Sequence, residues 1–126
     1  MGVDNLIKVF DESYYTKLDG GILEAFSKLF TKNITIFLYP VLRKNKIINS
    51  SKLIVSKSMK NLYKYFIKNT RIIDISDYNQ SYLSIFSSDV LKKIQSNEKG
   101  WENSLPENVS DLIKEKKLFG LKELQR

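Results

Sequence analysis

Two short β-rich runs flank one amphipathic helical stretch, and this succession constrains the fold of the 126-residue chain more than any other feature. Ile34 to Tyr39 reads Ile-Thr-Ile-Phe-Leu-Tyr and is closed by Pro40, which cannot donate to a sheet ladder. Arg71 to Ile75, Arg-Ile-Ile-Asp-Ile, is a second such run. Between them Met59, Leu62 and Phe66 recur at helical spacing, which predicts a helix from Ser56 or Ser58 to about Lys68. Strand, helix, strand favours a parallel pair, because parallel neighbours need a long crossover. The unbroken apolar run Ile36 to Tyr39 predicts a strand buried on both faces.

The remaining pattern is mostly helical. Asp4 is placed to cap a first helix carrying Leu6, Val9 and Phe10 on one face. After Gly20-Gly21, residues 22–31 read as a second helix through Ile22, Phe26 and Leu29. Arg43 to Lys52 reads as a polar loop. Two strands are few for an α/β layer, so a third is expected at Leu53-Ile54-Val55, or else the sheet continues in another chain or segment. Asp77-Tyr78-Asn79 reads as a turn. Ser87 or Ser88 is placed to cap a helix with Val90, Leu91 and Ile94. Pro106 opens the last helix, with Val109, Leu112 and Ile113, and Gly120 ends it. The expectation is one α/β domain over residues 1–126, with a short parallel sheet and about five helices.

Composition excludes several chemistries. The chain has no Cys and no His. Disulfides, thiolate metal sites, Cys nucleophiles and Ser-His-Asp arrangements are thereby absent, as is the usual general base near neutral pH. No metal site and no catalytic residue is expected. Asp11-Glu12 and Asp74 with Asp77 read as turn and cap residues, because no Asp/Asn-rich loop surrounds them to ligate a cation. No apolar run approaches the ~20 residues that cross a bilayer. The start has no signal-peptide pattern, and Leu6 breaks the myristoylation pattern that Gly2 would begin. An intracellular location, cytoplasmic or nuclear, is the expectation.

The net charge of +7 is concentrated. Between Arg43 and Arg71 stand nine Lys and Arg and no Asp or Glu. Such a block attracts polyanions, nucleic acid among them, or forms a solvated lysine-rich face. Lys60, Lys64 and Lys68 lie at i, i+4, i+8 with Tyr63, Tyr65 and Phe66 interleaved, a pattern used by single-strand binders when the rings stack on bases. The alternative is that Met59, Leu62 and Phe66 are core and the lysines face water. Ser87 and Ser88, at a helix start with Lys92 one turn on, have the chemistry to hold phosphate oxygens, or serve as plain caps. Gly2 would let a ligand approach the backbone beside the Asp4 carboxylate, or belongs to a frayed terminus. Trp101, the sole Trp, reads as a core-edge anchor. A docking role, through an unpaired sheet edge or Trp101, would give a protein partner or self-association.

Five pieces stand in order along the chain: Gly2-Val-Asp-Asn-Leu6 with Phe10 and Tyr14-Tyr15, Ile36-Phe-Leu-Tyr39, Phe86-Ser-Ser-Asp-Val-Leu-Lys92, Leu105-Pro-Glu-Asn-Val109, and Leu118-Phe119. The series resembles the C-terminal half of nicotinamide/nicotinate mononucleotide adenylyltransferases, which make NAD and belong to the Rossmann-like nucleotidylyltransferases. The likeness spans roughly residues 1–120. It implies a partial Rossmann-like three-layer domain. It also implies nucleotide contacts at Gly2 and Asp4 (a Gly-x-Asp segment) and phosphate contacts at Ser87, Ser88 and Lys92 (an Ile-Ser-Ser-Thr-x-x-Arg/Lys segment). ATP with Mg, nicotinamide mononucleotide or NAD would be the ligands. Two departures matter. Asp89 stands where the family has Thr, and an acid beside phosphates is unfavourable. The family's His-x-Gly-His loop, which stabilises the transferring phosphate, has no counterpart in a chain without His. The resemblance therefore implies a half-domain that is inactive alone and keeps at most nucleotide binding.

Overall fold

A computed structural model describes residues 1–121, which fall into two compact units divided between Asn79 and Gln80. Among the described residues stand five α-helices, a parallel strand pair and an antiparallel strand pair, a mixed α/β chain as the sequence pattern predicts.

In the first unit, β1 (Ile36–Leu38) and β4 (Ile72–Asp74) pair in parallel, with Ile36 opposite Ile72 and Leu38 opposite Asp74. Helix α3 (Lys60–Lys68) is the crossover between them. The start of the chain lies along the other edge of β1. The Met1 amino group donates to the Phe37 carbonyl at 2.7 Å, and the Tyr39 N–H donates to the Met1 carbonyl at 2.8 Å. Gly2 and Tyr39 form a parallel bridge. Three successive segments thus run side by side in one direction. Helices α1 (Val3–Val9) and α2 (Gly21–Leu29) connect the first to the second, and α3 connects the second to the third.

The three helices meet in a cluster of rings. Phe10, just past α1, stands edge-on to Phe26 at 5.1 Å, Tyr63 at 5.2 Å and Phe66 at 5.6 Å. Phe66 also meets Phe26 at 5.3 Å and Phe30 at 4.8 Å. Each such edge-to-face pair adds about 0.5–1.5 kcal/mol beyond the area it buries. Ile36, Leu38 and Ile72 are buried, whereas Phe37 and Ile73 on the opposite pleat are exposed. The expected burial of β1 on both faces is therefore not observed; strand alternation wins over the unbroken apolar run.

Several boundaries differ from expectation for identifiable reasons. Asp4 does not cap α1. Gly2 occupies the cap position in extended conformation because it is still bridged to Tyr39, and Asp4 falls in the first turn. Residues 43–52 are not simply a loop. Here β2 (Val41–Arg43) and β3 (Lys46–Ile48) form a hairpin, turned by Lys44 and Asn45 at φ 46° and 59°. That pair of left-handed residues matches the twist of the flanking strands. No strand forms at Leu53-Ile54-Val55. Helix α3 starts at Lys60 because the Ser58 hydroxyl is engaged elsewhere, donating to Glu12 at 2.5 Å and lying 3.1 Å from the Ser56 hydroxyl. Residues 75–79 form no turn.

The second unit is helical. Helices α4 (Ser87–Gln95) and α5 (Val109–Lys116) share a core of Val90, Ile94, Trp101 and Ile113, with Leu105, Val109 and Leu121 packed against it. Trp101 is 2% exposed and lies within this core, not at its edge. Lys114 sits 5.5 Å from its ring centroid while pairing with Glu102 at 2.9 Å. The residue before the Trp101 turn is Gly100 at φ 94°, a conformation that side chains disfavour. Phe86 occupies the cap position of α4, so neither serine caps it. Pro106 lies upstream of α5, whose cap is Asn108 at φ 66°. Lys117 at φ 50° ends that helix before Gly120, which closes the following 3₁₀ turn. Among the described residues no helix is long and apolar enough to cross a membrane.

Candidate functional site

Gly2 and Asp4 lie where the first chain segment leaves the sheet and α1 begins, at the carboxyl end of that segment. Nothing lies within 4 Å of the position a Cβ on Gly2 would take, so the backbone there is open to approach. The Asp4 carboxylate pairs with the Arg43 guanidinium, carried to it by the hairpin. Both side chains are nearly half exposed, and such a pair contributes about 0–1 kcal/mol. The pairing places a cation beside the carboxylate, a residue the sequence pattern did not single out.

Ser87, Ser88 and Lys92 lie in the second unit, on α4. The two serines are the first residues of the helix, where backbone N–H groups have no intrahelical partner. The cap residue Phe86 offers no side-chain bond to the helix start, and both serines are exposed. Lys92 is exposed one turn beyond Ser88, and no carboxylate among the described residues pairs with it. Ser87 instead shares the stripe of Leu91 and lines an apolar depression with Ile85, Val90 and Leu105. The exposed Asp89 sits in the same first turn.

The basic block separates into structural and uncommitted members. Arg71 Nη1 lies 2.8–3.0 Å from the carbonyls of Thr31, Lys32 and Ile34, tying the start of β4 to the segment before β1. Lys52 donates to the Ile47 carbonyl at 3.1 Å, and Arg43 holds Asp4. Lys60, Lys64 and Lys68 are brought together with Lys57 around a groove of about 670 Å3, whose other walls include Ser50, Leu53, Ile54, Val55 and Ile67. Of the three rings interleaved with the lysines in sequence, Tyr63 lines the groove although largely buried, Phe66 is buried in the ring cluster, and the exposed Tyr65 is not part of the groove. Residues 62, 63 and 66 point to the core because a helix of period 3.6 must turn that stripe inward.

A hydrogen-bonded chain holds the groove wall in place. The Asp74 carboxylate accepts from the Ser50 N–H at 2.9 Å and the Ser50 hydroxyl at 2.5 Å. The Tyr63 phenol donates to the Ser50 carbonyl at 2.7 Å. Burial, helped by the nearby Asp74 charge, pushes the Tyr63 phenol up to about 12. Asp74 is thus a structural acceptor, as Asp11 is a cap accepting from the Ser13 N–H at 3.0 Å. The Ser13 side chain, and after it this backbone bond, hold the Asp11 carboxyl below its ordinary value. Among the described residues no three Asp, Glu, His or Cys side chains converge as metal ligands. No protein-family model, curated protein or solved structure matches this chain.

Proposed function

We propose that the chain is a nucleotidylyltransferase-like domain with two sets of nucleotide contacts, Gly2 with Asp4 in the first unit and Ser87, Ser88 with Lys92 in the second, and that these residues do not themselves transfer a nucleotidyl group. The observation that carries the reading is the parallel run of Met1–Gly2, β1 and β4, with α1 opening directly from Gly2. Open α/β sheets bind ligands outside the carboxyl ends of their strands, where loops and helix starts converge. The three parallel segments, each followed by or reached through a helix, are what a partial Rossmann-like layer would require. The exposed Ser87 and Ser88 and the unpaired Lys92 suit phosphate oxygens. Asp89 opposes this, lowering affinity by repulsion. Mg would arrive with ATP, held mainly by its phosphates. Without His the charge developing on a transferred phosphate lacks the family's stabilising loop, so the chemistry here is binding and positioning.

Calorimetric titration with ATP, nicotinamide mononucleotide and NAD tests the reading. Saturable heat with at least one of them, weakened by Asp4→Asn or by Lys92→Ala, is the expected result. No heat with any of the three, or binding that neither variant alters, refutes it.

A further inference from the structure

The groove along α3 is unused by nucleotide binding. Its lining is largely aliphatic, with Leu53, Ile54, Val55 and Ile67 beside the buried Tyr63, and Ile54 stands 87% exposed. Its rim carries Lys57, Lys60, Lys64 and Lys68, and no carboxylate among the described residues pairs with any of them. Lys60 to Lys68 extends about 12 Å along the helix, at one helical turn per step. The wall bearing Ser50 is pinned by Asp74 and Tyr63, so the groove exists before any occupant arrives.

We propose that this groove docks an acidic amphipathic helical segment of a partner protein. The aliphatic stripe of such a segment covers Ile54 and Ile67, and its carboxylates, one turn apart, meet Lys60, Lys64 and Lys68. Charge complementarity selects an acidic partner. The lining is mainly aliphatic, and Tyr63, the ring within it, is buried with its hydroxyl held by the Ser50 carbonyl, which leaves little ring face for a base and favours protein side chains over stacked bases. A concave floor receives a ridge of side chains, whereas a bilayer presents a flat face.

Fluorescence anisotropy with the full chain tests this. The probe is a labelled helical peptide with Leu on one face and Glu on the other, and its competitors are a scrambled peptide of equal charge, oligothymidylate, and phosphatidylserine vesicles. The patterned peptide should bind tightest, with affinity falling as salt rises. Lys64→Glu should weaken it about ten-fold or more by reversing one charge. Ile54→Asn, which leaves the charge unchanged, should weaken it about ten-fold through lost apolar burial. Both residues are exposed, so circular dichroism should show wild-type melts. The proposal is overturned if the patterned peptide does not bind, or if the scrambled peptide, oligothymidylate or vesicles bind as tightly. It is also overturned if either substitution leaves peptide affinity unchanged. Because Asp4 and Lys92 take no part here, the nucleotide titration reads independently.

Discussion

Removing one hydroxyl from the buried phenol at position 63 gives a quantitative test of how the first unit is held together. Tyr63 is 7% exposed and donates to the Ser50 carbonyl at 2.7 Å. Tyr63→Phe deletes that bond and leaves a carbonyl short of a partner, which costs about 1–2 kcal/mol at neutral pH. The phenol's pKa adds a second signature. It is raised to about 12 in the folded chain, against about 10 when unfolded. Between these values the unfolded chain has released the proton and the folded chain retains it, so the unfolded state binds fewer protons and stability falls as pH rises. Two units correspond to about 2.7 kcal/mol, and the contribution of the phenol is complete below pH 10 and lost by about pH 12. Wild type and Tyr63→Phe should therefore differ at pH 8 and converge or cross toward pH 12. Because the two proteins are identical at every other position, the difference isolates position 63. Urea melts followed by far-UV circular dichroism read the effect; Trp101 fluorescence would report the second unit instead. A difference that stays constant from pH 8 to 12 refutes the argument that burial of the neutral phenol stabilises this unit.

Three further substitutions follow from the packing. Phe66→Ala removes the ring that meets Phe10, Phe26 and Phe30, and should cost about 3–5 kcal/mol in urea melts, enough to unfold a marginal unit. Gly100→Ala meets nothing within 4 Å, so its loss of about 1–2 kcal/mol reports the left-handed backbone alone and should appear as a lowered Trp101 fluorescence midpoint. Asp4→Asn breaks an exposed ion pair and should leave the thermal midpoint nearly unchanged, a loss of under about 1 kcal/mol, so any loss of nucleotide heat belongs to binding.

Much of the fold is legible along the chain. The parallel pairing of β1 with β4 follows from two β-rich runs separated by an amphipathic helix, because only a crossover of that length returns the chain in the same direction. The inward stripe of α3 follows from its period. The hairpin at 41–48 is harder to read. Its strands are three residues each, and its turn uses Lys44 where Asn or Gly is usual, so Asn45 was the only local signal. The displaced starts of α1 and α3 share a cause: Gly2 and Ser58 were committed to partners distant in sequence, the Tyr39 bridge and Glu12, and those contacts outweighed local capping preference.

The candidate sites divide in the same way. Residue type and spacing alone marked Ser87, Ser88 and Lys92 as able to hold phosphate oxygens and Gly2 beside Asp4 as open to a ligand's approach, and showed where the positive charge accumulates. Only the tertiary structure decided how that charge is used. Arg43, Lys52 and Arg71 are drawn to a carboxylate and to backbone carbonyls, while four lysines are left around an aliphatic groove. The physical reason is that a side chain's charge is written in the sequence, but its partner is set by which segments the hydrophobic core brings within hydrogen-bonding reach.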